Sequence, residues 1–129
     1  MDMTRSLIDL SNFRQMTGGD PQFLIDILEM IDQQAPAAMT QMQDHLQQGQ
    51  FEDLARAAHK LRSTLHVLGN AEWVSMLKEI EMYAKEAGET KAPTQVAAAN
   101  SLLMQFEQAH AQMLRAIVVE LAQLRKEIA

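Results

Sequence analysis

His59 is followed by Arg62 one helical turn along, and by Ser63 beside it, in the segment Ala57-Ala58-His59-Lys60-Leu61-Arg62-Ser63-Thr64-Leu65-His66-Val67-Leu68-Gly69. These types suit nucleophilic chemistry on an anionic group. A neutral imidazole nitrogen is a competent nucleophile near neutral pH. A guanidinium at i+3 can donate charge-assisted hydrogen bonds to anionic oxygens, and a hydroxyl at i+4 can add a weaker one. The spacing also predicts that the imidazole faces water. Leu54, Ala58, Leu61, Leu65 and Leu68 recur at the steps of a single helical face. At about 100° per residue, His59 lies roughly 160° from Leu61. It shares its side of the helix with Glu52, Ala55, Arg56, Arg62, Ser63 and His66. Periodicity alone would make such a histidine an ordinary surface residue.

The helix needs a scaffold, and composition bounds what that scaffold is. The chain has 129 residues, 47% hydrophobic and 22% charged, which fits one globular domain spanning residues 1–129. A net charge of -6 and no basic stripe argue against nucleic acid as a partner. There is no cysteine, which excludes disulfides and thiolate metal sites and fits a reducing cytoplasm. Met1-Asp2-Met3-Thr4-Arg5 carries early charge and leads into no apolar core of a signal peptide. Ala116-Ile117-Val118-Val119 stops at Glu120, far short of the roughly 20 residues of a membrane span. A soluble cytoplasmic protein with no membrane partner is expected.

Breakers divide the chain into helices. Asp9 to Phe13 suggests a short first helix ended by Thr17-Gly18-Gly19, and Asp20-Pro21 supplies an N-cap with proline at the first helical position. Phe23, Leu24, Ile27, Leu28 and Ile31 form the apolar face that follows. Pro36 is expected to kink or restart this element, and Met39, Met42 and Leu46 continue the pattern until Gly49. The His59 helix ends near Gly69-Asn70. Trp73, Met76, Leu77, Ile80, Tyr83 and Ala84 mark a further helix predicted to stop at Ala87-Gly88. Pro93-Thr94 opens a long last helix whose Val96, Leu103, Phe106, Met113, Ile117 and Leu121 can face a core. No segment alternates like a strand, and the 10 methionines are expected as a core stripe. The expected fold is all-α: an up-and-down antiparallel four-helix bundle with a short extra N-terminal helix.

With these elements in place, His59-Lys60-Leu61-Arg62-Ser63-Thr64 followed by Gly69 is similar to the signature of histidine-containing phosphotransfer (HPt) domains. There, His-x-Leu-Lys-Gly-Ser precedes a glycine ten residues after the histidine. Asp20-Pro21-Gln22-Phe23-Leu24 resembles the entry to that family's second helix, Ala35-Pro36 its break, and Gln48-Gly49-Gln50-Phe51 the turn before the histidine helix. Ile80-Glu81 resembles the Leu-Glu pair of the next helix. The resemblance covers about residues 9–88, and the last helix matches only in length and pattern. Arg62 stands where lysine is usual, keeping the charge in a different geometry, and Ser63 adds a hydroxymethyl group where glycine is usual.

The resemblance implies a phosphoryl carrier in a multistep His-Asp phosphorelay. His59 would be the transient acceptor, Arg62 would steady the phosphoryl oxygens, and Ser63 would border the close approach. Ala55, Arg56 and His66 on the same helix, with Met30, Gln33 and Gln34 on the preceding one, would form the docking surface. The implied partners are response-regulator receiver domains or a hybrid sensor histidine kinase, met by a monomer. No cofactor is expected on this chain, which has no Walker-type or Gly-rich nucleotide loop and no acidic triad for magnesium. Magnesium is expected in the receiver, and no kinase or ATPase activity here.

Two competing classes remain open. Glu107-Gln108-Ala109-His110 is a Glu-x-x-His of the kind di-iron bundles use, but only one copy is present. A helical module that docks a receiver or kinase without phosphotransfer would need only the exposed face. His66 is the nearest rival acceptor, lacking the Leu-Arg-Ser frame. His45 and His110 are expected at the surface or its boundary, and Thr64 is expected to bond back to a helix carbonyl.

Overall fold

The computed structural model describes residues 7–128, so the reading of Met1 to Arg5 lies outside the described residues. Five α-helices follow in order: α1 (Ser11–Thr17), α2 (Pro21–Gln47), α3 (Phe51–Leu65) with a single 3-10 turn after it (His66–Leu68), α4 (Ala71–Thr90) and α5 (Pro93–Ile128). No strand occurs among the described residues. None of these helices is long and apolar enough to cross a membrane.

The termini follow local chemistry. Asp20 caps α2 by accepting from the Gln22 N–H at 3.1 Å, with Pro21 at the first helical position. Glu52 and Asp53 place negative charge in the first turn of α3. Asn70 caps α4 by accepting from the Glu72 and Trp73 N–H groups. Gly69, at φ 67°, makes the left-handed turn between them. A Cβ at Gly69 would collide with the carbonyl oxygen of Asp9, because the segment before α1 crosses this turn. There the Asp9 N–H donates to the Leu68 carbonyl at 2.8 Å, and Asn70 Nδ2 donates to the Leu7 carbonyl at 2.9 Å.

Helix α2 packs on α3, α3 on α4, α4 on α5, and α5 back on α2. The enclosed core holds Leu24, Leu28, Ile31, Leu54, Leu61, Leu65, Leu77, Ile80, Phe106 and Ile117, all nearly inaccessible. Several sequence expectations are corrected. Pro36 does not restart α2, which runs unbroken through it. The missing N–H forfeits one bond to the Asp32 carbonyl, and Ile31, Ala35 and Met39, buried on both sides, hold the helix together. Gly88 does not stop α4, which continues to Thr90 and ends on Lys91 in the left-handed conformation. Gly88 instead lies inside the helix and faces the start of α3, where a Cβ would make ordinary contact with the Phe51 Cβ at 3.5 Å. The methionines are not one core stripe: Met39, Met42 and Met113 are buried, whereas Met16, Met30, Met82 and Met104 are exposed. Phe23 is also exposed and stacks on Phe13 at 6.0 Å. Helix α1 itself buries nothing, and the cover comes from Ile8 and Leu10 before it.

Candidate functional site

The stripe Leu54, Ala58, Leu61, Leu65, Leu68 is buried, which turns His59 outward with 56% of its side chain exposed. The imidazole is nevertheless held. Its Nδ1 lies 3.1 Å from each carboxylate oxygen of Glu81, which comes from α4. Arg62 Nη2 donates to Glu81 Oε1 at 3.1 Å and approaches His59 Nδ1 at 2.9 Å. Lys85, one turn after Glu81, pairs with the other carboxylate oxygen at 3.0 Å. One carboxylate, 12% exposed, thus gathers a histidine, an arginine and a lysine.

Two neighbours of Nδ1 pull the tautomer in opposite directions: the Glu81 oxygens call for a proton on Nδ1, and Arg62 Nη2 at 2.9 Å for a lone pair. An Nδ1 lone pair aimed at two carboxylate oxygens would be repelled, whereas an Nδ1–H satisfies them as a shared donor. Arg62 already has Glu81 as its acceptor. The Nδ1–H form therefore fits the network and leaves the lone pair on Nε2. Burial works to raise the Glu81 carboxyl, but hydrogen bonds from Lys85 and His59 and their charges outweigh it, holding it below the usual carboxylate range. Glu81 stays ionised as the fixed acceptor.

The other expected residues are placed as follows. Ser63 is exposed, and its hydroxyl donates to the His59 carbonyl at 3.2 Å, so it is spent on the helix backbone here. Thr64 donates in the same way to the Lys60 carbonyl, as expected. Ala55 corrects the reading of the exposed face: it is 4% exposed and floors a groove whose walls include Arg56, His59, Glu81 and Lys85. It lies on the α4 side of α3, so the neighbouring helix covers what a single-helix projection leaves open. Arg56 is exposed and weakly paired with Asp53 at 3.7 Å. His66 is exposed in the 3-10 turn. Met30, Gln33 and Gln34 are exposed on α2. Of these, Gln34 lines a groove against Lys60, Leu61 and Thr64 of α3.

His110 is a further correction, for it is buried on α5 at 8% exposure and packs 6.4 Å from Phe106. Its place in the three- and four-residue steps of Phe106, Met113 and Ile117 was the available signal. Glu107 is exposed. No group of three or more histidines and acidic residues converges as a metal site among the described residues. His45 lies at the boundary, bonded to Gln50 at 2.8 Å. Glu81 and Lys85 were not singled out for a role from sequence. The hints were the resemblance of Ile80-Glu81 to the Leu-Glu pair, given without a role, and Glu81's place at the edge of the α4 apolar stripe.

No curated protein and no solved structure matches the chain significantly. The Hpt domain family, by contrast, matches residues 26–127, a span that contains α3, α4 and the whole His59–Glu81 network. With most of its length matched and an exposed histidine at its centre, the chain belongs to the Hpt domain family, whose members are histidine phosphotransfer modules of phosphorelays and not kinases.

Proposed function

We propose that this protein carries a phosphoryl group between receiver-domain aspartates in a multistep phosphorelay, with His59 as the transient acceptor. The observation that carries this reading is an exposed imidazole whose Nδ1 faces both Glu81 oxygens at 3.1 Å, leaving Nε2 free. The Nε2 lone pair attacks the phosphorus of a receiver aspartyl phosphate. The bond from phosphorus to the aspartate oxygen breaks, and the carboxylate leaves with that electron pair. The proton on Nδ1 stays in place, and Glu81 offsets the positive charge that develops on the ring. Transfer to the next aspartate is the reverse reaction.

Arg62 uses Nη2 in the network and its Nε is buried, so Nη1 is the donor left to meet phosphoryl oxygens, where positioning and charge neutralisation dominate catalysis. Ser63 borders the approach. Magnesium and its ligands belong to the receiver, and this chain holds no cofactor of its own. The scaffold is one domain, an up-and-down antiparallel four-helix bundle. Supporting that topology, the end of α4 at Gly88 meets the start of α3 at Phe51. Likewise Arg125 near the end of α5 pairs with Glu29 near the start of α2 at 3.1 Å. We place the protein in the cytoplasm as a monomer, with receivers or a hybrid kinase as partners.

The test is transfer of labelled phosphate from phosphorylated receiver domains, with magnesium, to the wild type and to His59→Gln, scored as acid-labile, base-stable label. Label on the wild type alone supports the reading. Retained label on His59→Gln would move the acceptor, with His66 the first to examine. No transfer from any receiver in a panel would leave a docking module without transfer chemistry.

A further inference from the structure

His59 is flanked by surfaces of different charge. Toward the start of α3, the groove that includes His59 sets Glu52, Glu81 and Glu89 against Arg56 and Lys85. Toward its end, a groove of roughly 550 Å³ between α3 and α4 sets Arg62, Lys78 and Lys85 against Glu79 and Glu81. Glu81 is only 12% exposed and already shared by His59, Arg62 and Lys85. What solvent meets there is Lys78, Lys85 and Glu79, an excess of positive charge on a chain of net charge -6. Lys78 forms no ion pair among the described residues. Met82, 45% exposed, adds an adaptable apolar contact in the same groove. On the opposite side of α3, the groove against α2 is smaller, about 210 Å³, and Lys60 is its only charged residue.

We propose that the α4 groove of Arg62, Lys78, Met82 and Lys85 docks an acidic segment with an apolar tip on the partner receiver domain. The inference rests on the phosphocarrier reading and assigns its docking surface to α4 in addition to the α2 residues expected from sequence. The neighbouring groove on the other side of His59 adds Glu52 and Glu89 beside Glu81, and that contrast orients the partner. An acidic segment laid over the Glu89 end would meet like charge, so only one orientation brings its aspartate to His59.

Lys78→Glu tests this, because Lys78 forms no hydrogen bond or ion pair with His59, Arg62 or Glu81. Arg115→Glu, on the exposed side of α5, makes the same change in net charge away from the groove. Wild type and both variants are titrated calorimetrically with each receiver of a panel at low and high salt. All three are separately labelled with phosphoramidate, a small donor that needs no docking. The expected result is a dissociation constant raised about tenfold at low salt for Lys78→Glu and less than about twofold for Arg115→Glu. The difference should shrink at high salt, with phosphoramidate labelling equal in all three. Equal affinities of Lys78→Glu and wild type for every receiver that binds would overturn the proposal. So would equal losses in the two variants, or binding of no receiver. Failure of phosphoramidate to label the wild type would sink the carrier reading instead, and the affinities would still decide the docking surface.

Discussion

The seam between α3 and α4 holds one histidine and the interior of α5 another, and they are treated in opposite ways. His59 is 56% exposed, yet its Nδ1 is engaged by a carboxylate and approached by a guanidinium. His110 is 8% exposed, and its Nε2 is buried without a hydrogen-bond partner. Burial pushes the His110 imidazole down from its ordinary value of 6.5, with Glu107 opposing weakly. One ring is oriented and accessible; the other is neutral filler with an unmet polar atom. What makes an imidazole a candidate nucleophile here is a fixed tautomer together with an open nitrogen, and of these two sites the α3/α4 seam supplies both.

The sharpest break between the two sites is substitution of each. His59→Gln is predicted to reduce phosphate labelling by at least ~100-fold while changing stability by less than about 0.5 kcal/mol, because an exposed side chain contributes little packing. His110→Leu should leave labelling at the wild-type level. Equal labelling of wild type and His59→Gln would erase the distinction.

Removing the orienting carboxylate should come next in size. Glu81→Gln is predicted to slow transfer on the order of tenfold, as loss of an outer partner of a working histidine typically does. Nitrogen NMR shifts of the imidazole should show the Nδ1–H tautomer losing population. An unchanged tautomer with a slowed rate would assign Glu81 a purely structural role.

Arg62→Ala is predicted to slow transfer roughly fivefold through loss of charge-assisted bonds. Arg62→Lys should recover part of that, since it keeps the charge without the planar fork. Rates equal to wild type would reduce Arg62 to a partner of Glu81 alone.

The smallest effect is on stability and belongs to His110. Its folded form disfavours the charged ring, so its contribution to stability is present above 6.5 and is lost as pH falls below that value toward the lowered folded one. His110→Leu should flatten this part of the acid dependence and raise stability by about 1 kcal/mol by removing the unpaired nitrogen. Denaturant midpoints across that pH range would show it, and parallel curves for the two proteins would refute it.

The outward placement of His59 was readable from the period of Leu54, Ala58, Leu61, Leu65 and Leu68, since burial of that stripe leaves little choice for a residue opposite it. A helix start was readable at Asp20-Pro21, where the cap acts through adjacent atoms. Helix stops were less so. Pro36 and Gly88 look like breakers in isolation, but neighbouring helices bury Ala35 and Met39 and bring Phe51 against Gly88. Ala55 was misjudged for the same reason, because exposure on an isolated helix ignores the helix that lies over it.

The sequence by itself therefore determined the helical periodicities, the acidic balance and an exposed histidine with a cation one turn on, all properties of residues within a few positions of one another. The tertiary structure decided that Glu81, 22 residues beyond His59, would close on Nδ1 and that Lys85 would join it. It also left the His110 Nε2 buried without a hydrogen-bond partner. Those outcomes depend on how closely and in what register α4 and α5 pack, which is set by the summed shapes of many side chains.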